Sequence, residues 1–149
     1  MGLFDFFTGG GDPSKQIEKH RRRLTDVYRQ SHERYLAMDE LIKIGSAEAY
    51  AALLERFTVR VNGPTVDEEE KTYCFEQLVR AGEGAIEPII AFIGQNNSVY
   101  FPLRALREIA GDERAVDTLL AAMDDCDPGY HDGLERLREI VSNLRDFRH

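Results

Sequence analysis

Tryptophan is absent from this 149-residue chain, and aromatic residues make up only 9% of it, so no aromatic-rich binding platform dominates. Cysteine is nearly absent too: Cys74 and Cys126 stand 52 positions apart without a CxxC spacing, which excludes a disulfide framework and a zinc knuckle. No apolar run approaches the ~18 residues that span a bilayer. The first residues, Met1-Gly2-Leu3-Phe4-Asp5-Phe6-Phe7, lack the basic flank and the length of a signal peptide, and Phe6 stands where a myristoylation signal carries Ser or Thr. A cytoplasmic location is the expectation. Positive charge is in deficit, with 19 Lys and Arg against 27 Asp and Glu and a net charge of -8. General nucleic-acid binding needs the opposite balance to neutralise phosphates. The chain also lacks a P-loop, a dinucleotide fingerprint and a Ser-His-Asp order, so no catalytic residue, no metal site and no cofactor is expected.

What is present suits one helical domain. Hydrophobic residues reach 42% and charged residues 31%, and a chain of this length removes about 68–70% of its unfolded surface from water on folding. Charge is uneven: residues 13–36 hold seven Lys or Arg against three Asp or Glu, a balance of +4, and residues 37–149 balance to -10. A basic N-terminal segment thus precedes an acidic body.

Residues 1–12 read as a Phe-rich tail on a glycine linker, Thr8-Gly9-Gly10-Gly11. Asp12-Pro13 then opens a helix, with Asp as cap and Pro at the first helical position. The stretch from Ser14 to Ile44 has no Gly or Pro and carries apolar residues at helical spacing, with a break expected near Gln30. From there the chain repeats. Gly45, Gly82 and Gly111 each follow a helical stretch and precede another, at the position where only the left-handed cap conformation ends a helix cleanly. Residues 45–54 align with 111–120 without a gap, and Gly82–Ile90 joins them after one deletion, which stacks Ala49, Ala85 and Ala115 in one column. The glycines are 37 and 29 residues apart, room for helical hairpins of two ~11–14-residue helices. The expected order is a basic helix at 13–30, repeat 1 at 31–58, an inserted loop at 59–66, repeat 2 at 67–95, repeat 3 at 97–125 and a C-terminal helix at 128–147.

These features resemble the HEAT-repeat family, in particular the short repeats of bilin-lyase-like bacterial proteins. The residues that carry the resemblance are Ala105-Leu106-Arg107-Glu108-Ile109-Ala110-Gly111-Asp112-Glu113-Arg114-Ala115-Val116 with Leu119-Leu120, the turn Asp124-Asp125-Cys126-Asp127-Pro128, and the matching segments at Gly45 and Gly82. The resemblance implies an all-α fold: a short right-handed α-solenoid of about three hairpins with a capping helix at each end. The long 58–66 insertion and the basic first helix depart from the pattern. Solenoids of this kind serve many ends, so the resemblance leaves the activity open.

It does direct attention to the second helix of each hairpin, which typically lines a concave face. With Ala49, Leu53, Leu54 and Phe57, then Ile86, Ile89, Ile90 and Ile93, then Val116, Leu119, Leu120 and Met123 turned inward, the outward positions form an acidic ridge. The ridge comprises Glu55, Glu87, Asp117, Asp124 and Asp125, with Phe92 as an apolar contact. It reads as a groove for a basic partner segment, against the alternative of a plain solvated face. The 58–66 loop is a second contact candidate. Arg21, Arg22 and Arg23 form a basic patch that would cap the array, dock on the acidic body, or touch an anionic partner, whether nucleic acid or membrane surface. Leu3, Phe4, Phe6 and Phe7 read as an anchor or as a tail folded on its own domain. Asp124, Asp125, Cys126, Asp127, His131 and Asp132 match no calcium-loop spacing and read as turn and cap residues. Asp67-Glu68-Glu69-Glu70 reads as an acidic first turn favoured by the helix dipole. The expected function is a non-catalytic protein-interaction module or adaptor. An accessory subunit of an enzyme, as the bilin-lyase resemblance implies, and nucleic-acid or membrane association through the basic helix are the alternatives; oligomeric state stays open.

Overall fold

A computed structural model describes residues 12–127 and 129–147. The anchor candidates Leu3, Phe4, Phe6 and Phe7 lie outside the described residues. Helices α1 (Pro13–Thr25), α2 (Ser31–Ile44), α3 (Ala47–Leu54), α4 (Pro64–Ala81), α5 (Ile86–Gln95), α6 (Tyr100–Ala110), α7 (Asp112–Asp124) and α8 (His131–Leu144) follow one another, with short 3-10 turns at Glu55–Thr58, Gly82–Ala85 and Arg145–Phe147. The fold is all-helical, with no strand among the described residues.

The chain writes its own boundaries. The Asp12 side chain accepts a hydrogen bond from the Ser14 N–H, and Pro13 takes the first helical position. The helical stretch breaks at residues 26–30, and α2 restarts on Gln30, whose backbone N–H donates to Glu33 in a capping box. Gly45 closes α2 at φ 65°, ψ 22°, and its N–H donates to the Leu41 carbonyl. Gly82, at φ 71° and ψ -139°, and Gly111, which joins α6 directly to α7 at φ 91° and ψ 169°, depart from the left-handed cap expected of them; both keep a positive φ that a Cβ would make costly.

The irregular stretch between the first two hairpins is shorter than the sequence suggests. Glu55–Thr58 continues α3 as a 3-10 turn, and only residues 59–63 are free of helix. Pro64, Thr65 and Val66 form the first turn of α4, because proline's fixed φ suits the first helical position. Val61 is buried within the loop, its N–H donating to Asp67 Oδ1 at 3.0 Å.

The helices stack in two rows. In one, α2 packs on α4 and α4 on α6; in the other, α1 packs on α3, α3 on α5, α5 on α7 and α7 on α8. Between the rows lies a continuous core in which Leu24, Met38, Leu41, Leu53, Leu54, Leu78, Ile89, Ile93, Leu106 and Leu119 are shut off from solvent. Ala49, Ala85 and Ala115 are each fully buried, one per hairpin, where a methyl group lets neighbouring helices approach. The basic helix α1 is part of this packing: it sits against α2, α3 and the 55–58 turn and buries Ile17, His20 and Leu24.

One inward position of the sequence reading changes. Leu120 is exposed at 46%, although its aligned partner Leu54 is fully buried. Leu54 lies between hairpins, whereas α7 is followed only by α8, which leaves that face partly open. Along α8 itself Ile140 is buried, Leu134, Leu137 and Leu144 are half-buried, and Val141 is exposed.

Candidate partner-binding groove

The row α1–α3–α5 leaves a groove of about 890 Å³ on its outer side. Its first wall is α1, through Ile17 and Arg21. From α3 and its continuation come Ala47, Glu48, Ala51, Ala52, Glu55 and Thr58. The opposite wall is α5, through Glu87, Pro88, Ala91, Phe92, Gln95 and Asn96 just beyond its end. Helical spacing produces this lining: on α3, residues 48, 51, 52 and 55 share a face, as do residues 87, 88, 91, 92 and 95 on α5. Ala51, Ala52 and Ala91 contribute only methyl groups to the lining, and Glu48, Glu55 and Glu87 give its rim carboxylates.

Of the expected acidic ridge, the groove collects Glu55 and Glu87, together with Glu48. Asp117, Asp124 and Asp125 are exposed on α7 and in the turn after it, and none of the three lines the groove. Phe92 differs from its expected role as an outward contact, since it is only 8% exposed and part of the core. The buried arc of α5 runs through Pro88, Ile89, Phe92 and Ile93, because α3 and α7 flank this helix on both sides and widen the arc beyond the stripe read from the sequence. Phe92 therefore forms floor, with one edge open to the groove.

The charges at the rim are partly paired. Arg21 Nη1 stands 3.5 Å from Glu55 Oε1, so the basic helix meets the acidic body here. Burial in the groove wall pushes the Glu55 carboxyl above its usual range, with Arg21 opposing the shift. Arg114 Nη2 reaches Glu87 Oε1 at 3.0 Å from α7, an exposed contact worth little in stability. Glu48 has no ion pair among the described residues.

The arginine patch is divided rather than uniform. Arg21 donates to Glu18 through both Nε and Nη2, and Arg22 Nε donates to the same carboxylate at 3.0 Å. The Arg21 hydrogen bond, with help from Arg22, holds the Glu18 carboxyl at about 2, and Glu18 in turn raises the Arg21 guanidinium. Arg22 and Arg23 line a separate open surface with Lys15, Lys19, Glu18 and Arg29, to which Arg21 does not contribute.

The acidic run at the start of α4 holds the largest surprise. Glu68 and Glu69 are exposed, but Asp67 and Glu70 turn inward and are buried with Arg34 and Arg56. Arg34 grips Glu70 with two hydrogen bonds, Nε to Oε1 at 2.6 Å and Nη2 to Oε2 at 2.9 Å, and Ser31 Oγ adds a third at 2.9 Å. Arg56 donates to Glu70 Oε1 at 3.2 Å, to Asp67 Oδ1 at 2.8 Å and to the Val59 carbonyl at 3.0 Å. Lys71 completes Asp67 at 2.8 Å. Every member is paired, so the network is a structural rivet joining α2, the 59–63 loop and α4. The spacing carried a signal: residues 67, 70, 74, 77 and 78 fall on one buried face of α4, and Arg34 shares a face with Ala37, Met38 and Leu41.

Among the described residues no three His, Cys, Asp or Glu side chains are gathered to hold a metal ion. Cys126 Sγ donates to the Ala122 carbonyl, and His131 pairs with Glu135. No described helix is long and apolar enough to cross a membrane. Comparison of the chain with protein-family models, with curated proteins and with solved structures yields no match.

Proposed function

We propose that this chain is a short HEAT-like α-solenoid that works, in the cytoplasm, as a non-catalytic interaction module. The α1–α3–α5 groove holds a partner segment that combines bulky apolar side chains with basic ones. The stacking of α2, α4 and α6 in one row and of α3, α5 and α7 in the other supports the solenoid reading, as does the glycine turn that divides each hairpin. The groove carries the functional reading: an alanine-rich trough with Phe92 in its floor and Glu48 and Glu87 at its rim. Apolar burial would supply affinity, and the glutamates would select and steer a cationic segment.

The test is affinity purification from the native cytoplasm with two baits, the wild-type chain and the variant Glu48→Lys/Glu87→Lys, whose helicity is checked by circular dichroism. A protein captured by the first bait and lost from the second, with capture weakening as salt rises, supports the reading. Equal capture by both baits, or loss only with Asp117→Lys/Asp124→Lys, overturns it.

A further inference from the structure

We propose that the outward face of α1 docks on an anionic membrane leaflet, held there by charge, and that the α1–α3–α5 groove stays open meanwhile. This contact lies outside the groove and does not depend on what the groove binds.

Ile17, His20 and Leu24 turn α1 into the fold, while Lys15, Lys19 and Arg22, at i, i+4 and i+7, run exposed along its opposite side. With Arg23 and Arg29 they form one open surface. Among the described residues its lining sets five cations against one carboxylate, Glu18, and holds no aromatic ring. Arg22 is joined to Glu18 at 3.0 Å, and Arg29 is occupied by Asp26 and Glu33. Lys15, Lys19 and Arg23 have no ion pair among the described residues, so their charge is open to an outside anion.

The place of α1 in the fold selects the polyanion. It is the first helix of its row, with Glu48 and Glu55 one helix spacing behind it and Glu87 two spacings behind. Helices in a row stand about 8–10 Å apart, and salt screens charge over about 8 Å under physiological conditions. A flat leaflet that meets the end of the row therefore feels the α1 cations and little of the acidic body. A nucleic acid reaching further along the row would meet the glutamates, and this surface offers its bases no ring to stack on. Anionic lipids are concentrated in the cytoplasmic leaflet, where each Lys or Arg at the surface adds to the attraction. Ile17 and Arg21 face the groove from another side of α1, so the docked molecule keeps its groove accessible.

Co-sedimentation of the full chain with vesicles tests this, comparing pure phosphatidylcholine with phosphatidylcholine that contains about 30% phosphatidylserine. The expected result at about 0.05 M salt is roughly ten-fold or more binding to the anionic vesicles over the neutral ones, lost near about 0.5 M. Lys15→Glu/Lys19→Glu/Arg23→Glu should abolish the binding. Lys15→Ser/Lys19→Ser, expected to weaken it about three-fold or more, replaces that variant should its melting curve change. Lys43→Glu/Arg80→Glu/Arg138→Glu makes the same change in net charge at exposed positions of α2, α4 and α8, and should bind as the wild type does. Equal binding to neutral vesicles, equal loss in both triple variants, or no binding at all overturns the proposal. Binding of a single-stranded RNA oligonucleotide in place of the vesicles also overturns it, in favour of nucleic acid. No protein partner is present, so this outcome is independent of the bait experiment.

Discussion

Arg34 and Glu70, 36 positions apart in sequence, close on one another through two parallel hydrogen bonds in a site where Glu70 has no solvent exposure. Four donated hydrogen bonds, from Arg34 twice, from Ser31 and from Arg56, use up the acceptor capacity of this carboxylate. A buried pair of this kind is not a large net source of stability, since desolvation offsets most of the attraction. Its effect is to fix register: α2 and α4 can meet in only one relative position without stranding a charge.

Removing one partner should therefore be severe. Glu70→Ala leaves the buried Arg34 guanidinium without its carboxylate, while Arg56 keeps Asp67, and is expected to cost about 3–5 kcal/mol, a fall in melting temperature of roughly 2–4 °C per kcal/mol for a chain of this size. Urea unfolding of the wild type and the variant measures it. A loss below about 1 kcal/mol would show that water reaches the network.

Acid should unfold the protein in two stages. Burial pushes the His20 imidazole below its ordinary value, aided by Arg23 and Lys19 and opposed by Glu40, and its Nδ1 atom is buried without a partner. The unfolded chain takes up a proton at about pH 6.5 while the fold resists it, so stability falls as pH drops below that value. The second stage belongs to Asp67 and Glu70. Burial alone would raise both carboxyls, but hydrogen bonds from Lys71 and Arg56 hold Asp67 at about 2, and those from Arg34 and Ser31 lower Glu70. Their contribution is present above the unfolded values near pH 4 and is lost as pH falls through the folded ones. His20→Leu should flatten the upper stage only. Parallel stability curves for wild type and His20→Leu between about pH 7 and about pH 5 would contradict this account.

The turn glycines should differ in their tolerance of asparagine. Gly45 adopts the left-handed helical conformation that Asn also visits, so Gly45→Asn is expected to cost under about 1 kcal/mol. Gly111, at φ 91° and ψ 169°, occupies a region reserved for glycine, and Gly111→Asn should cost about 1–3 kcal/mol. Equal losses in thermal denaturation would mean that the α6–α7 turn relaxes.

The two thiols should react in a fixed order. Cys74 is fully buried, its Sγ donates to the Leu53 carbonyl, and burial pushes its pKa up, whereas Cys126 is part-exposed. Iodoacetamide on the native protein should modify Cys126 first, with Cys74 labelled only on unfolding, as peptide mass spectrometry would show. Simultaneous labelling under native conditions would indicate frequent opening between α3 and α4.

Local rules were legible in the sequence wherever one helix decides the matter by itself. Asp12-Pro13 starts α1, Gly45 and Gly111 end helices, and the alanine column at 49, 85 and 115 is buried as aligned, because caps, positive-φ glycine turns and helical periodicity act over a few residues. The tertiary structure decided what depends on neighbours. Phe92 became floor because α3 and α7 flank α5 on both sides, and Leu120 stayed exposed because only α8 follows α7. Asp67 and Glu70 went inside because Arg34 and Arg56, distant in sequence, arrive there as counter-charges. A periodic pattern states which face of a helix prefers burial; how wide the buried arc becomes, and whether a charge on it finds a partner, is set by the helices packed alongside.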